Sequence, residues 1–310
     1  MIVFWFKLLT ICAVTFTIMV DCKPLHTLDT TMILKRENSP HEVDVLDAES
    51  DSYYSMNHTN YYKRAVPFLS KDQKDIFLTK WLGIPHQPKL NVGVLLGNNL
   101  DTFDLTQATR MFSFIPGANI LTIAESSNPI TTQEGVNIIP DHTFNDNLDL
   151  DLLVMVAGIG PDPAISAYLR RVGPTVKKYI VSICEGAMVL AASGLLDGKK
   201  ATATKSLWPM TSLFPLVKWV KKARFTHDGN IITTSGAAAG LDGVFYIIQL
   251  LYGEEVAHKL ATVNEYEWNP DPNHDLFTDI DKDFPFIPNL LFPSFSSFSM
   301  NVPRFSTNIQ

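Results

Sequence analysis

Residues 179–194 read YIVSICEGAMVLAASG. The first five are a short apolar run of the kind a buried parallel strand has, and residues 187–193 are helix formers closed by Gly194. Only Cys184, Glu185 and Gly186 are left to make the turn between them. A side chain on so short a strand-to-helix turn projects from the carboxyl end of a sheet, beside a helix amino terminus. Open α/β sheets bind their ligands at that place. The positive end of the helix dipole favours an anion, which predicts a thiolate and a lowered pKa for Cys184. Gly186 lets the chain turn without a Cβ. The same geometry serves the nucleophile elbow of serine hydrolases. A free cysteine is also among the most buried residue types, so an inert core thiol is the competing reading.

Outward from this turn the same alternation repeats. Residues 91–96 (NVGVLL), 119–124 (NILTIA) and 152–157 (LLVMVA) read as buried strands, and residues 135–139 as a short one. Residues 104–112 and 163–171 read as the helices between them, and 237–251 and 254–264 as two later helices. Lys200 and Ala201 open a weaker strand, and Asp228-Gly229 marks a tight hairpin between residues 225–226 and 230–233. Strands alternating with helices predict an α/β fold, a mainly parallel central sheet covered on both faces as a three-layer sandwich. The regular part spans residues 90–272, after a linker or helical lead-in at 65–89 and before an irregular tail rich in Phe, Pro and Ser at 273–310.

The chain has 310 residues, 46% of them apolar and 18% charged, which is enough to bury one large core. With 25 basic and 32 acidic residues its net charge is −7, and it lacks the basic footprint of a nucleic-acid binder. Residues 8–20 (LLTICAVTFTIMV) follow Lys7 and precede Asp21, a pattern that predicts a secretory signal peptide over residues 1–22. The competing reading is an uncleaved anchor over residues 2–20. After removal of the signal the chain has no membrane segment, and the expected location is extracellular or vacuolar. Cleavage after Cys22 leaves Cys184 as the one remaining cysteine, either an inert core residue or a reactive group. Residues 23–64 carry no persistent period and read as disordered or propeptide-like. They hold a glycosylation sequon at Asn57 and dibasic pairs at Lys35-Arg36 and Lys63-Arg64.

The run ICEGAMVLAASGLLDGKKAT, with RFTHDGNIITTSGAAAGLD and VNEYEWNPDP after it, resembles the ThiJ/PfpI family of the class I glutamine amidotransferase-like superfamily. It is most similar to the isonitrile hydratase-like branch and to the matching domain of some transcriptional regulators. The resemblance covers residues 90–272. It implies a flavodoxin-like sandwich, a cysteine nucleophile at position 184 and a homodimer. No helix-turn-helix segment follows the domain, so the regulator reading lacks support.

The resemblance also implies an acidic residue in the loop after the first strand, close to the elbow. Asp104 in LDTFDLT is the best-matched carboxylate and Asp101 the fallback. Asp104 also suits a helix N-cap, and the two roles are compatible. Glu185 replaces the small hydroxyl residue usual in that branch, which puts isonitrile hydration in doubt. Two readings of it stay open, general acid–base catalysis and stabilisation of the helix amino terminus. Backbone N–H groups of Gly158, in VAGIG, and of Glu185 suit an oxyanion hole, although Ile159 stands where the family often has a second glycine. Thr204 and Lys205, in KATATKSLW, occupy the place where several branches have a histidine, so peptidase and amidotransferase chemistry lose support. His142, His227 and His258 read as surface or loop residues, and Trp81, Trp208, Trp219 and Trp268 as packing. The histidines and the cysteine fall at no metal-ligand spacing, and neither a phosphate loop nor a complete dinucleotide fingerprint occurs, so no metal and no cofactor is expected.

Two functions follow. The first is an enzyme whose Cys184 attacks a small electrophilic substrate, with Asp104 moving the proton and Glu185 and backbone amides stabilising charge. Hydration of a C–N multiple bond, hydrolysis and glyoxalase-type chemistry are all compatible. The second is a non-catalytic binding or redox-sensing domain with a reactive Cys184.

Overall fold

The computed structural model describes residues 70–84 and 89–280. The expected signal peptide, residues 23–64 with Asn57 and both dibasic pairs, and residues 281–310 of the tail lie outside the described residues. Among those described, no helix is long and apolar enough to cross a membrane.

The lead-in is a helix, α1 (Lys71–Leu82). Ser70 and Gln73 close its amino terminus as a capping box, and Gly83 ends it in the left-handed conformation. The strands that follow are β1 (Leu90–Leu95), β2 (Ala118–Ala124), β3 (Ile130–Thr131), β4 (Asn137–Ile138), β5 (His142–Thr143), β6 (Leu152–Met155), β7 (Tyr179–Ser182), β8 (Lys200–Ala201), β9 (Lys218–Trp219), β10 (Phe225–Asp228) and β11 (Ile231–Thr234). The helices among and after them are α2 (Thr102–Phe112), α3 (Pro163–Val172), α4 (Gly186–Ser193), α5 (Ala237–Tyr252) and α6 (Glu254–Val263).

One seven-stranded sheet runs β10-β11-β7-β6-β1-β2-β5. Every pair in it is parallel except the β10–β11 hairpin, whose turn is Gly229 at positive φ. Helices cover both faces as a flavodoxin-like sandwich, with α2 packed on α5 and α3 packed on α4. The apolar runs are buried because both faces of the sheet are covered. All of β6 is buried, and so are seven of the eight residues of α4, whose sequence has no polar face to offer to water.

The register places the site. Leu95, Met155, Ser182 and Thr233 are cross-strand partners in one row near the carboxyl ends of β1, β6, β7 and β11. The loops carrying Asp101, Gly158, Cys184 and Ser235 therefore leave the sheet side by side. Three small differences from the sequence reading have local causes. α2 starts two residues before Asp104, because Asp101 caps it. The strand expected at residues 135–139 shrinks to the two residues of β4, which pair with β3 as a separate ribbon. The folded body also extends past residue 272, since Asp275 is buried against Lys205.

Candidate active site

Cys184 follows β7 and takes φ of 58°, a left-handed conformation that costs a non-glycine residue about 1–3 kcal/mol. The turn into α4 is tight enough that a Cβ at Gly186 would stand 2.7 Å from the Met155 carbonyl oxygen. The sulfur is buried, with 7% of the residue exposed. The Glu185 backbone N–H and the Thr204 side chain lie near it, and the Thr204 hydroxyl is paired with Ser206 Oγ at 2.9 Å. Thr204 is bound to the elbow through its N–H on the Cys184 carbonyl at 3.4 Å.

Asp104 sits in the first turn of α2, 1% exposed. Its Oδ2 accepts the Ala157 N–H at 3.2 Å, while its Oδ1 has no partner among the described residues. Burial, reinforced by the charge of Asp101, pushes its pKa up from 3.8 to about 7. The capping role considered for Asp104 belongs to Asp101, whose Oδ1 accepts the Asp104 N–H at 3.0 Å. This division leaves the Asp104 carboxyl buried, where its charge acts on the thiol.

Glu185 is fully buried and occupies the N-cap position of α4, yet its side chain makes no capping bond. Its Oε2 instead accepts the Gly158 N–H at 3.2 Å. Gly158 holds φ of 89°, and a Cβ there would lie 2.0 Å from the Asn99 carbonyl oxygen. Of the two amides expected to form an oxyanion hole, that of Gly158 already has an acceptor, the Glu185 carboxylate.

The lowered thiol pKa expected from the helix dipole does not occur. Burial pushes the Cys184 thiol well up, and the charges of Asp104 and Glu185 push it the same way. The nearby Thr204 side chain and the Glu185 N–H oppose this without reversing it. A dipole acting at a helix terminus is the smaller effect when the group has been taken out of water.

His142, His227 and His258 take no part in this assembly. His142 lies on β5 beside Asp146 at 3.5 Å, His227 bonds Tyr246 and Gly229 beside the hairpin, and His258 pairs with Glu254 at 3.4 Å on α6. Trp208 and Trp219 pack edge to face, and Trp268 is buried. Among the described residues no group of three or more His, Cys, Asp or Glu side chains could hold a metal ion.

Sequence reasoning singled out Thr204 and Lys205 only for not being histidine. The structure places Thr204 beside the elbow and buries Lys205 next to it. Thr204 also borders a cavity of about 210 Å³, walled by Ser206, Ser235, the first turn of α5, Phe277 and Ile280, and neither Cys184 nor Asp104 lines it. Asp275 also borders it, and no spacing in the sequence pointed to that residue.

A family model for the DJ-1/PfpI family matches residues 91–249. Isonitrile hydratase of Pseudomonas putida is 31% identical over 183 residues, 57% of this chain and 78% of that protein. The HTH-type transcriptional regulator GbdR of Pseudomonas aeruginosa is 24% identical over 198 residues, 60% of this chain and 53% of the regulator. A ThiJ/PfpI family protein from Pseudomonas syringae superposes with a TM-score of 0.55 at 28% identity, over 68% of this chain and 85% of that one. An enzyme and a regulator share the domain, so the likeness carries the fold further than it carries the reaction. The chain belongs to the DJ-1/PfpI family.

Proposed function

We propose that the chain is a cysteine-dependent enzyme that adds water across the C–N multiple bond of a small molecule, an isonitrile being the model substrate. The observation carrying this reading is the pairing of a buried, protonated thiol with a carboxyl group held at about 7. A nucleophile that is not ionised at rest needs a base at the moment of attack, and a base works best when its pKa lies near the working pH. Asp104 meets that condition.

With an isonitrile, the sulfur bonds to the terminal carbon. The proton leaving sulfur passes to Asp104 and on to that carbon, giving a thioimidate. Water then adds to the same carbon, losing its proton to the Asp104 carboxylate. The C–S bond breaks, sulfur regains a proton, nitrogen takes another, and an N-substituted formamide leaves. One molecule of water is consumed and the enzyme is returned unchanged.

The occupied Gly158 amide favours this reaction over hydrolysis of an amide and over glyoxalase-type chemistry. Those two build negative charge on an oxygen that needs free donors, whereas addition to an isonitrile places its charge on an atom that Asp104 protonates. The reading extends to a homodimer, the assembly that the family resemblance implies; sedimentation of the full chain at the mass of a single copy would contradict that part.

The test is turnover of the full chain on isonitriles, aldehydes and peptides, with Cys184→Ala alongside. Formamide release by the native chain and its loss in the variant are expected. Equal turnover by both proteins, or turnover confined to peptides, would overturn the reading.

A further inference from the structure

Asp104 and Gln107 lie one turn apart on α2, and both are buried, at 1% and 6% exposed. Side chains three residues apart on a helix are neighbours, with about 5–6 Å between their Cβ atoms. A helical side chain also leans back over the turn before it, which brings the Gln107 amide toward Asp104. Neighbouring elements fix where that amide ends. A Cβ at Gly240 of α5 would stand 3.3 Å from Gln107 Oε1 and 2.5 Å from Ile183 Cγ2. The amide is therefore lodged among α2, α5 and the residue that precedes Cys184, on the same helix face as the candidate base.

Gln107 carries one acceptor oxygen and a nitrogen with two hydrogens. Neither Oε1 nor Nε2 has a hydrogen-bond partner among the described residues, and the same holds for Asp104 Oδ1. The other Asp104 oxygen is held by the Ala157 N–H at 3.2 Å, so the open positions all belong to one face of α2. Buried polar atoms left unpaired destabilise a fold, and a methionine of the same length would fill this space without that cost. A group that satisfies these atoms must both donate and accept, since the two oxygens need donors and the amide nitrogen needs an acceptor. An isonitrile has no N–H or O–H to give. Water has two O–H groups and two lone pairs.

We propose that Gln107 binds the water that adds to the substrate, holding it against Asp104 Oδ1. This rests on the reading of Cys184 and Asp104 as the pair that hydrates a C–N multiple bond. The Gln107 N–H donates to the water oxygen, one O–H of the water is directed at Asp104 Oδ1, and the remaining lone pair is left for the thioimidate carbon. As the C–O bond forms, that O–H bond breaks and its proton goes to the Asp104 carboxylate. The electron pair of the C=N π bond moves onto nitrogen, which takes the proton from Asp104. Gln107 neither gains nor loses a proton. The earlier attack of sulfur on the isonitrile uses no water, so Gln107 serves only the second half of the reaction.

The experiment has two arms, both on the full chain. A crystal structure of the native protein should show an ordered water about 2.7–3.2 Å from both Asp104 Oδ1 and the Gln107 side chain. A direct hydrogen bond between the two side chains, or protein contacts alone for both, would overturn the proposal. The second arm mixes the native chain and Gln107→Met with n-butyl isonitrile and follows formamide release and the intact mass of the protein. Losing one hydrogen bond to the water should slow release about tenfold. Adduct formation on Cys184 should keep its native rate, so a species heavier by one isonitrile accumulates in the variant. A merely structural role would lower the melting temperature and slow both steps alike, and that result overturns the proposal, as does native release by the variant. Should Gln107→Met not fold, Gln107→Asn, which draws the amide back by one methylene, is read by the same two rates. A native chain that releases no formamide contradicts the hydration reading, and the proposal is then decided by the water in the first arm.

Discussion

Cys184 with Asp104, and Lys205 with Asp275, are neighbours buried on opposite terms. At the elbow burial pushes up both the Asp104 carboxyl and the Cys184 thiol, so each holds its proton more tightly than it would in water. At Lys205 the charges are opposite, and hydrogen bonds fill the remaining donor and acceptor positions. The second arrangement holds a shape. The first stores a proton that can move, and perturbed groups without a compensating charge mark sites of chemistry more often than sites of structure. Adjacency in sequence, Thr204 beside Lys205, joins the two.

The contrast breaks most sharply at the sulfur. Cys184→Ala should lower turnover about a thousandfold or more while unfolding stays cooperative, as assayed by formamide release and thermal melting. Next comes the paired cluster. Lys205→Met leaves Asp275 buried with only the more distant Arg224, and it should cost about 3–5 kcal/mol in denaturant unfolding. A smaller loss would mean that water already reaches the pair.

Asp104→Asn should do the opposite. The native carboxyl keeps its proton up to about 7, against 3.8 as the reference value. Between those values the folded state binds the proton and the unfolded state does not, so stability falls as pH rises through that window. Asn removes the ionisation, and at pH 8 it should raise stability by up to about 4 kcal/mol while lowering turnover. Equal stability of the two proteins at pH 8 would show that the carboxyl is solvated. The smallest effect is expected at Gly158→Ala. Its Cβ strikes the Asn99 carbonyl at a positive φ, and the cost should be about 1–3 kcal/mol in denaturant unfolding.

Much of this was legible in the sequence because it is written in local patterns. The apolar runs, the Asp228-Gly229 turn and the brevity of Cys184-Glu185-Gly186 between strand and helix carry the α/β fold and the position of the thiol. What stayed hidden depends on contacts between distant segments. Nothing near Asp275 marks it as the counter-charge of a lysine 70 residues earlier. The ionisation of Cys184 is hidden for the same reason: the helix dipole can be read from the chain, whereas the depth of burial and the nearby carboxyl groups cannot. The position of Glu185 at the helix start is legible in the chain, but only the fold shows its side chain reaching the Gly158 amide.

The most direct measurement is the pH dependence of kcat/KM for isonitrile hydration in the native chain and in Asp104→Asn. If Asp104 takes the proton of a thiol that is not ionised at rest, the native profile rises through about pH 7 and the variant loses that limb. A profile that Asp104→Asn leaves in place would contradict the account.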